Sequence, residues 1–277
     1  MIIELASSYG FCFGVKRAIK IAEDNPNSTT YGPLIHNQDE INRLDTKYNI
    51  GVANHLSEIK PNSSVVIRTH GIPKNEFFAL KSQKNKIIDA TCPYVTTPQQ
   101  IVERMSGEGY DVVIFGDKEH PEIKSVMSYT NELSKVFVVL EPIELENCHL
   151  GHKVAVVSQT TRKPEDFVQI TSKLITICKE VRVFNTICNA TFENQDAASK
   201  LAGKSDVMII VGGKHSSNTK QLHAICKSNC EDSYLIENSD ELLAEWFMGK
   251  LKCGITAGAS TPDWVVQNVI EKIKSFL

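Results

Sequence analysis

The chain has 277 residues, with 30 basic and 33 acidic side chains and a formal net charge of −3. So even a balance gives no electrostatic reason to expect nucleic acid or an anionic membrane surface as a partner. Hydrophobic residues at 42% and charged residues at 23% describe an ordinary globular chain, long enough for one large domain or two to three small ones.

The opening stretch Met1-Ile2-Ile3-Glu4-Leu5-Ala6-Ser7 has neither the basic nor the long apolar part of an export signal. No apolar run approaches the length of a membrane span. These features point to a cytoplasmic protein with no membrane partner. In that compartment the eight cysteines are expected to act as ligands or packing residues and not as disulfides.

Taken in order, Ile2–Ala6 is a short apolar run, and Val15–Ala22 has apolar residues at helical spacing. Thr29–Gly32 leads into Pro33-Leu34-Ile35-His36-Asn37, read as a strand running into a polar loop, and Gln38–Lys47 reads as a helix. Ser63–Arg68 is a strand, Lys74–Ser82 a helix, Lys86–Ala90 a strand and Thr96–Gly107 a helix. Tyr110–Phe115, Lys135–Leu140, Lys153–Val157 and Val181–Thr186 are further strands, with helices over Ile123–Tyr129, Glu165–Cys178 and Phe192–Ala202. The last third reads as strands Asp206–Val211, Ser233–Ile236 and Lys252–Thr256. Its helices are Lys220–Lys227, Asp240–Phe247 and Trp264–Phe276. Alternating strands and helices predict an α/β fold with parallel sheets. In such sheets ligands bind beyond the carboxyl ends of the strands.

Three cysteines stand at strand ends: Cys12 in Gly-Phe-Cys-Phe-Gly, Cys92 in Ala-Thr-Cys-Pro, and Cys188 in Thr-Ile-Cys-Asn. No local metal motif spans their separations. They are either small buried hydrophobes or thiolate ligands, soft donors suited to an iron–sulfur cluster or zinc. Their like settings favour ligation, with Gly10 and Gly14 easing the backbone around Cys12. Three thiolates would leave one iron of a cubane cluster open to substrate. His36, His70 and His120 share the same edge and suit zinc, an anion or acid–base work, against a reading as loop-surface residues. Glu122 is a candidate proton carrier, its pKa raised in a dry pocket, or simply a carboxylate favoured at a helix start. Gly212–Asn218 and Ala257–Pro262 each open a helix after a strand, where free N–H groups attract phosphate. His223, Cys226 and Cys230 mimic a metal motif but lack a fourth ligand, and Trp246 and Phe247 read as one face of a helix.

As an ordered set these loops resemble the 4-hydroxy-3-methylbut-2-enyl diphosphate reductase (LytB) family. The matching stretches run from Gly10–Val15 through His36-Asn37, Thr69–Gly71, Asp89–Pro93, His120–Glu122, Ser158–Thr161, Cys188 and Gly213–Asn218 to Ala257–Pro262. The resemblance implies three pseudo-symmetric α/β units with mostly parallel sheets around a central iron–sulfur cluster. The units would span 13–92, 93–185 and 186–277, with 1–12 packing onto the third. It implies a [4Fe-4S] cluster with three cysteine ligands, Cys12, Cys92 and Cys188, and one open iron. It gives His36, His70, His120, Ser216, Ser217, Asn218 and Ser260 to the diphosphate. Thr160 and Glu122 fall near the substrate hydroxyl, with Glu122 delivering protons.

The implied reaction is reductive dehydroxylation of the allylic diphosphate to isopentenyl and dimethylallyl diphosphate, the last step of non-mevalonate isoprenoid synthesis. Reduced ferredoxin or flavodoxin is the implied electron donor, and a monomer the implied state. Two other readings remain. A quinolinate synthase-like enzyme would need arginines for a carboxylate substrate, where these loops offer Ser, Asn, Thr and His. A non-catalytic redox or metal-sensing module would turn nothing over.

Overall fold

The computed structural model of the chain describes residues 1–35 and 37–276, Thr191 and Ser217 by backbone alone. In chain order the strands are β1 (Ile2–Leu5), β2 (Thr29–Tyr31), β3 (Gly51–Ala53), β4 (Ser64–Ile67), β5 (Lys86–Asp89), β6 (Asp111–Phe115), β7 (Val136–Val139), β8 (Lys153–Ser158), β9 (Glu180–Phe184), β10 (Val207–Val211), β11 (Ser233–Ile236) and β12 (Lys252–Ala257). The helices are α1 (Phe13–Glu23), α2 (Gln38–Tyr48), α3 (Lys74–Ser82), α4 (Pro93–Gly107), α5 (Pro121–Met127), α6 (Pro164–Ile177), α7 (Ala190–Ala202), α8 (Ser217–Asn229) and α9 (Asp263–Lys274).

The strands form three four-stranded sheets, ordered β1-β12-β10-β11, β3-β2-β4-β5 and β7-β6-β8-β9. Every pairing is parallel. The chain packs as two compact units. One holds Met1–Lys16, Ile35–Lys47 and Asn189–Leu277 and contains the first sheet; the other holds Arg17–Leu34 and Tyr48–Cys188 and contains the remaining two. The first strand, β1, pairs with β12, Ile2 opposite Lys252 and Leu5 opposite Ile255.

Strand β10, Val-Met-Ile-Ile-Val, shows why these runs are continuously apolar. Side chains alternate between faces, and both faces are covered, as parallel sheets require. Val207, Ile209 and Val211 pack with Val265, Val266, Val269 and Ile273 of α9. Met208 and Ile210 pack on the other face with Ala198 and Leu201 of α7 and Leu222 and Cys226 of α8. In the second unit Val65 and Ile67 bury against Leu80 of α3. Val112 and Ile114 do so against Val102 of α4 and Ile123 and Val126 of α5.

Two elements depart from expectation. The strand near residue 30 is Thr29–Tyr31, and Pro33–Ile35 belongs to the loop after it. Asp240–Phe247 is not an α-helix but two short 3₁₀ turns, Ser239–Glu241 and Ala244–Phe247, with Leu242 and Leu243 extended between them. Leu242 and Phe247 are the residues this stretch buries. Five positions apart, they cannot share one helix face. Trp246 leaves the predicted helix face to stack flat on Tyr234, ring centroids 4.0 Å apart. Gly51–Ala53, too short to announce itself, is an edge strand. Gly14 lies within α1, so only Gly10, at φ +68°, uses a glycine's backbone freedom beside Cys12.

Candidate active site

Each sheet repeats one arrangement at its carboxyl edge. An outer strand (β1, β5 or β9) runs into a cysteine loop, with Cys12, Cys92 or Cys188 next to a helix start. Its neighbour (β12, β4 or β8) runs into a polar loop carrying Ser260, His70 or Thr160. The next strand (β10, β2 or β6) runs into the loop with Ser216 and Asn218, with His36, or with His120 and Glu122. His36 itself lies outside the described residues, as does the Ser217 side chain.

Backbone bonds strap each cysteine loop to the polar loop beside it. Cys92 N donates to Thr69 O at 2.9 Å, Cys188 N to Thr160 O at 2.7 Å, and Gly10 N to Ala257 O at 2.9 Å. The three thiols are in no disulfide and are partly exposed, whereas Cys226, Cys230 and Cys253 are buried in the core. Burial, the largest influence on each, pushes the Cys226 and Cys253 thiols up to about 12. Accessible sulfurs beside the positive end of a helix form a donor set that fits a thiolate-ligated cluster. Among the described residues no three His, Cys, Asp or Glu side chains converge on one metal ion. A multi-iron cluster needs no such point, because its ligands hold different irons.

In the second unit Glu122, in the first turn of α5, is buried. Thr160 N donates to Glu122 Oε1 at 2.7 Å, and Thr160 Oγ1 donates to Oε2 at 2.7 Å. Burial pushes the Glu122 carboxyl above the ordinary carboxylate range. The two Thr160 bonds and the Arg162 charge act in the opposite sense without cancelling it. His120 caps α5, its Nδ1 accepting from Glu122 N at 3.2 Å. That bond leaves Nε2 as the protonated nitrogen of a neutral ring. His70 meets His120 edge to face, ring centroids 5.3 Å apart. His70, His120, Glu122 and Thr160 thus belong to one set of neighbouring loops.

In the first unit Ser216 caps α8, Oγ accepting from Thr219 N at 3.4 Å. Both Oδ1 and Nδ2 of Asn218 are buried, and neither has a hydrogen-bond partner among the described residues. A buried amide left with both ends unspent is costly and marks a place where a ligand is due. Gly258 lies beside it, a Cβ there standing 3.7 Å from Asn218 Nδ2, so the loop bearing Ser260 borders Asn218.

Sequence reading missed the residues that hold these loops. Gln99 Nε2 donates to Ser125 Oγ at 2.8 Å, and Ser125 Oγ to Ile72 O at 2.9 Å, which ties the loop after His70 to the helices that follow Cys92 and His120. Gln159 Oε1 accepts from Asp117 N at 3.0 Å, joining the His120 loop to the Thr160 loop. Asn194 binds Ser8 Oγ and Gly10 O in front of Cys12. Glu40 takes a two-point pair from Arg43, at 2.8 and 2.6 Å, and accepts from Trp264 Nε1 at 2.9 Å. For Gln99, Ser125, Asn194 and Glu40 the only sequence signal is a polar residue in a helix, and Gln159 lies in the loop after β8.

Fold and loops define a class: a parallel α/β protein that repeats one four-stranded sheet three times and puts thiols, imidazoles, hydroxyls and amides beyond the carboxyl ends of its strands. The chain belongs to the LytB family, whose model, described as LytB protein, matches residues 3–274. It is 68% identical over 275 residues to the 4-hydroxy-3-methylbut-2-enyl diphosphate reductase of Sulfurovum sp. (strain NBC37-1), covering 99% of both chains. It is 62% identical to the enzyme of that name from Campylobacter concisus, again over 99% of both. One solved structure, (E)-4-hydroxy-3-methyl-but-2-enyl diphosphate reductase, the terminal enzyme of the non-mevalonate pathway, is similar with a TM-score of 0.83. It shares 41% identity and covers 99% of this chain and 100% of its own. The Plasmodium falciparum E-1-hydroxy-2-methyl-but-2-enyl-4-diphosphate reductase also gives 0.83, at 26% identity, over 98% and 87% of the two chains. Among the described residues no helix is long and apolar enough to cross a membrane.

Proposed function

We propose that this chain is a 4-hydroxy-3-methylbut-2-enyl diphosphate reductase, an oxidoreductase that removes the allylic hydroxyl of its substrate to give isopentenyl and dimethylallyl diphosphate. The observation that carries the reading is 68% identity over essentially the full length of a relative of that name. The net change consumes two electrons and two protons and releases water. Cys12, Cys92 and Cys188 hold a [4Fe-4S] cluster with one open iron, which when bound supplies the electrons one at a time. Reduced ferredoxin or flavodoxin is the donor, and the enzyme works as a cytoplasmic monomer of three α/β units.

The chain's own part is binding and proton delivery. Asn218, Ser216, Ser217 and Ser260, with His36, His70 and His120, take the diphosphate, and the buried amide of Asn218 finds its missing partners there. Glu122 and Thr160 form a two-member proton relay. A protonated Glu122 donates from Oε2 to Thr160 Oγ1, which frees the threonine proton for the substrate hydroxyl. Thr160 N–H stays on Oε1 throughout and holds the carboxyl in orientation. The hydroxyl departs as water once that proton arrives.

The test is an anaerobic assay of the brown, cluster-loaded protein with the hydroxylated diphosphate and a chemical reductant. Both allylic and homoallylic diphosphates should form. Cluster-loaded protein that produces neither overturns the activity, and colourless zinc-loaded protein from anaerobic purification overturns the cluster.

A further inference from the structure

Behind the two histidine loops the second unit contains a cavity of about 210 Å³. Its lining includes Arg68 and Ile72, either side of His70, and Glu119 and Pro121, either side of His120; Tyr31, Asn54, Glu76 and Lys124 complete its polar wall. Arg68 is half-buried, its Nε is enclosed without a hydrogen-bond partner, and among the described residues its guanidinium makes no ion pair. The fold has made room for this group. Gly32, at φ +75°, lies against it, and a Cβ there would stand 2.5 Å from Nη1 and 2.9 Å from Cζ. The neighbouring charges are already engaged. Lys124 pairs with Glu119 at 2.7 Å, and Glu76 acts on the Tyr31 hydroxyl, raising its pKa. Burial lowers the Arg68 pKa more than Tyr31 and Glu76 restore it. Burial, followed by the nearby Glu76, pushes the Tyr31 phenol up to about 12.

A half-buried guanidinium whose enclosed Nε is unspent asks for a planar, two-point acceptor, which a carboxylate or a phosphate oxygen pair supplies. Lys124 offsets Glu119, but Glu76 in the same wall disfavours a multiply charged phosphate more than a monoanion. Ile72 and Pro121 offer apolar surface to the rest of the molecule, and the volume admits several heavy atoms but not a nucleotide. We propose that this cavity is a binding site for a small monocarboxylate with an apolar body, its carboxylate on Arg68. The site is separate from the Glu122–Thr160 pair, and its test uses no substrate, so its outcome does not depend on the activity proposed above.

The probe is sodium butyrate, titrated into the full chain purified without air and followed by ligand-observed NMR, with inorganic phosphate in parallel. Butyrate should saturate. Arg68→Met should weaken it about tenfold or more, the loss of one charge-assisted bidentate contact. Glu76→Gln removes a repelling charge, and should tighten butyrate severalfold. That gain cannot come from a damaged fold. Failure of butyrate to saturate the wild type, or affinity unchanged by both substitutions, overturns the site. Phosphate binding as tightly as butyrate, and as dependent on Arg68, overturns the ligand class.

Discussion

Glu122 and Thr160 are joined twice, by a backbone N–H on one carboxyl oxygen and a hydroxyl on the other, both at 2.7 Å. They come from different strand ends, β6 and β8, which lie side by side in one sheet. The two bonds differ in kind. The amide can only donate, so it fixes Oε1 as an acceptor. The hydroxyl can donate or accept, so Oε2 is the oxygen able to carry a proton.

Glu122→Gln keeps the acceptor for Thr160 N–H but cannot pass on a proton. Turnover should fall by about 10²- to 10⁴-fold with substrate binding retained, measured as single-turnover rate against equilibrium binding. Unchanged turnover removes Glu122 from the relay. The same variant tests the pKa by its stability. Below about pH 4.3, the ordinary glutamate value, the carboxyl is protonated folded or unfolded and makes no difference. As pH rises, the unfolded chain releases its proton first, because the folded value is raised, so stability falls until the folded carboxyl also ionises. Thermal unfolding of Glu122→Gln should therefore depend less on pH above about 4.3, and its melting temperature at neutral pH should be no lower than wild type.

The three proposed ligand cysteines are partly exposed and the core cysteines are not. In cluster-free protein, iodoacetamide should label Cys12, Cys92 and Cys188 and spare Cys226 and Cys253, whose thiols burial holds at about 12. Cluster loading should protect the first three. Cys92→Ser should lose the broad visible absorption of the loaded protein. Labelling of Cys92 unaffected by the cluster, read by mass spectrometry, excludes it as a ligand.

What was legible in the sequence follows from how local the signal is. Val207–Val211 and Ser64–Ile67 announce themselves because a strand covered on both faces must be apolar throughout. Glu122 and Thr160 stand at the ends of such strands, so their edge could be read even though their contact could not. Gln99 and Ser125 were invisible as partners, since their bond joins positions 26 apart and each alone is only a polar residue in a helix. Asp240–Phe247 was misread for a similar reason. Its course is set by where Leu242 and Phe247 find the core and by Trp246 reaching Tyr234, neither of which its own spacing encodes.

Gly71 tests the loop that bears His70. Its φ is +69°, and a Cβ there would stand 2.8 Å from both Gln99 Nε2 and Ser125 Oγ. Gly71→Ala therefore meets a left-handed backbone cost and forces apart the pair that anchors Ile72. The two together should cost about 2–4 kcal/mol, measured by denaturant unfolding. Ser125→Ala removes the anchor without adding bulk and should cost about 1–3 kcal/mol. A fully stable Gly71→Ala would show that the loop relaxes freely, contrary to the packing seen.

Glu40 offers the sharpest contrast between partners of one buried group. At 1% exposure it accepts two bonds from Arg43 and one from Trp264, so α2, which follows the His36-Asn37 loop, is fastened to α9, which follows Ser260. Trp264→Phe keeps the ring and deletes one donor, while Glu40 remains charged and paired. The cost should be about 1–2 kcal/mol. Glu40→Ala removes the acceptor of the indole N–H and the two-point pair with Arg43 and should cost more, about 3 kcal/mol, moderated because Arg43 keeps some contact with water. If Asn218 and Ser260 take the diphosphate as proposed, Trp264→Phe should raise KM before it lowers kcat. It changes how firmly the binding loops are held and leaves Glu122 and Thr160 untouched. A fall in kcat with KM unchanged would show instead that the Glu40–Trp264 tie acts on the chemistry and not on binding.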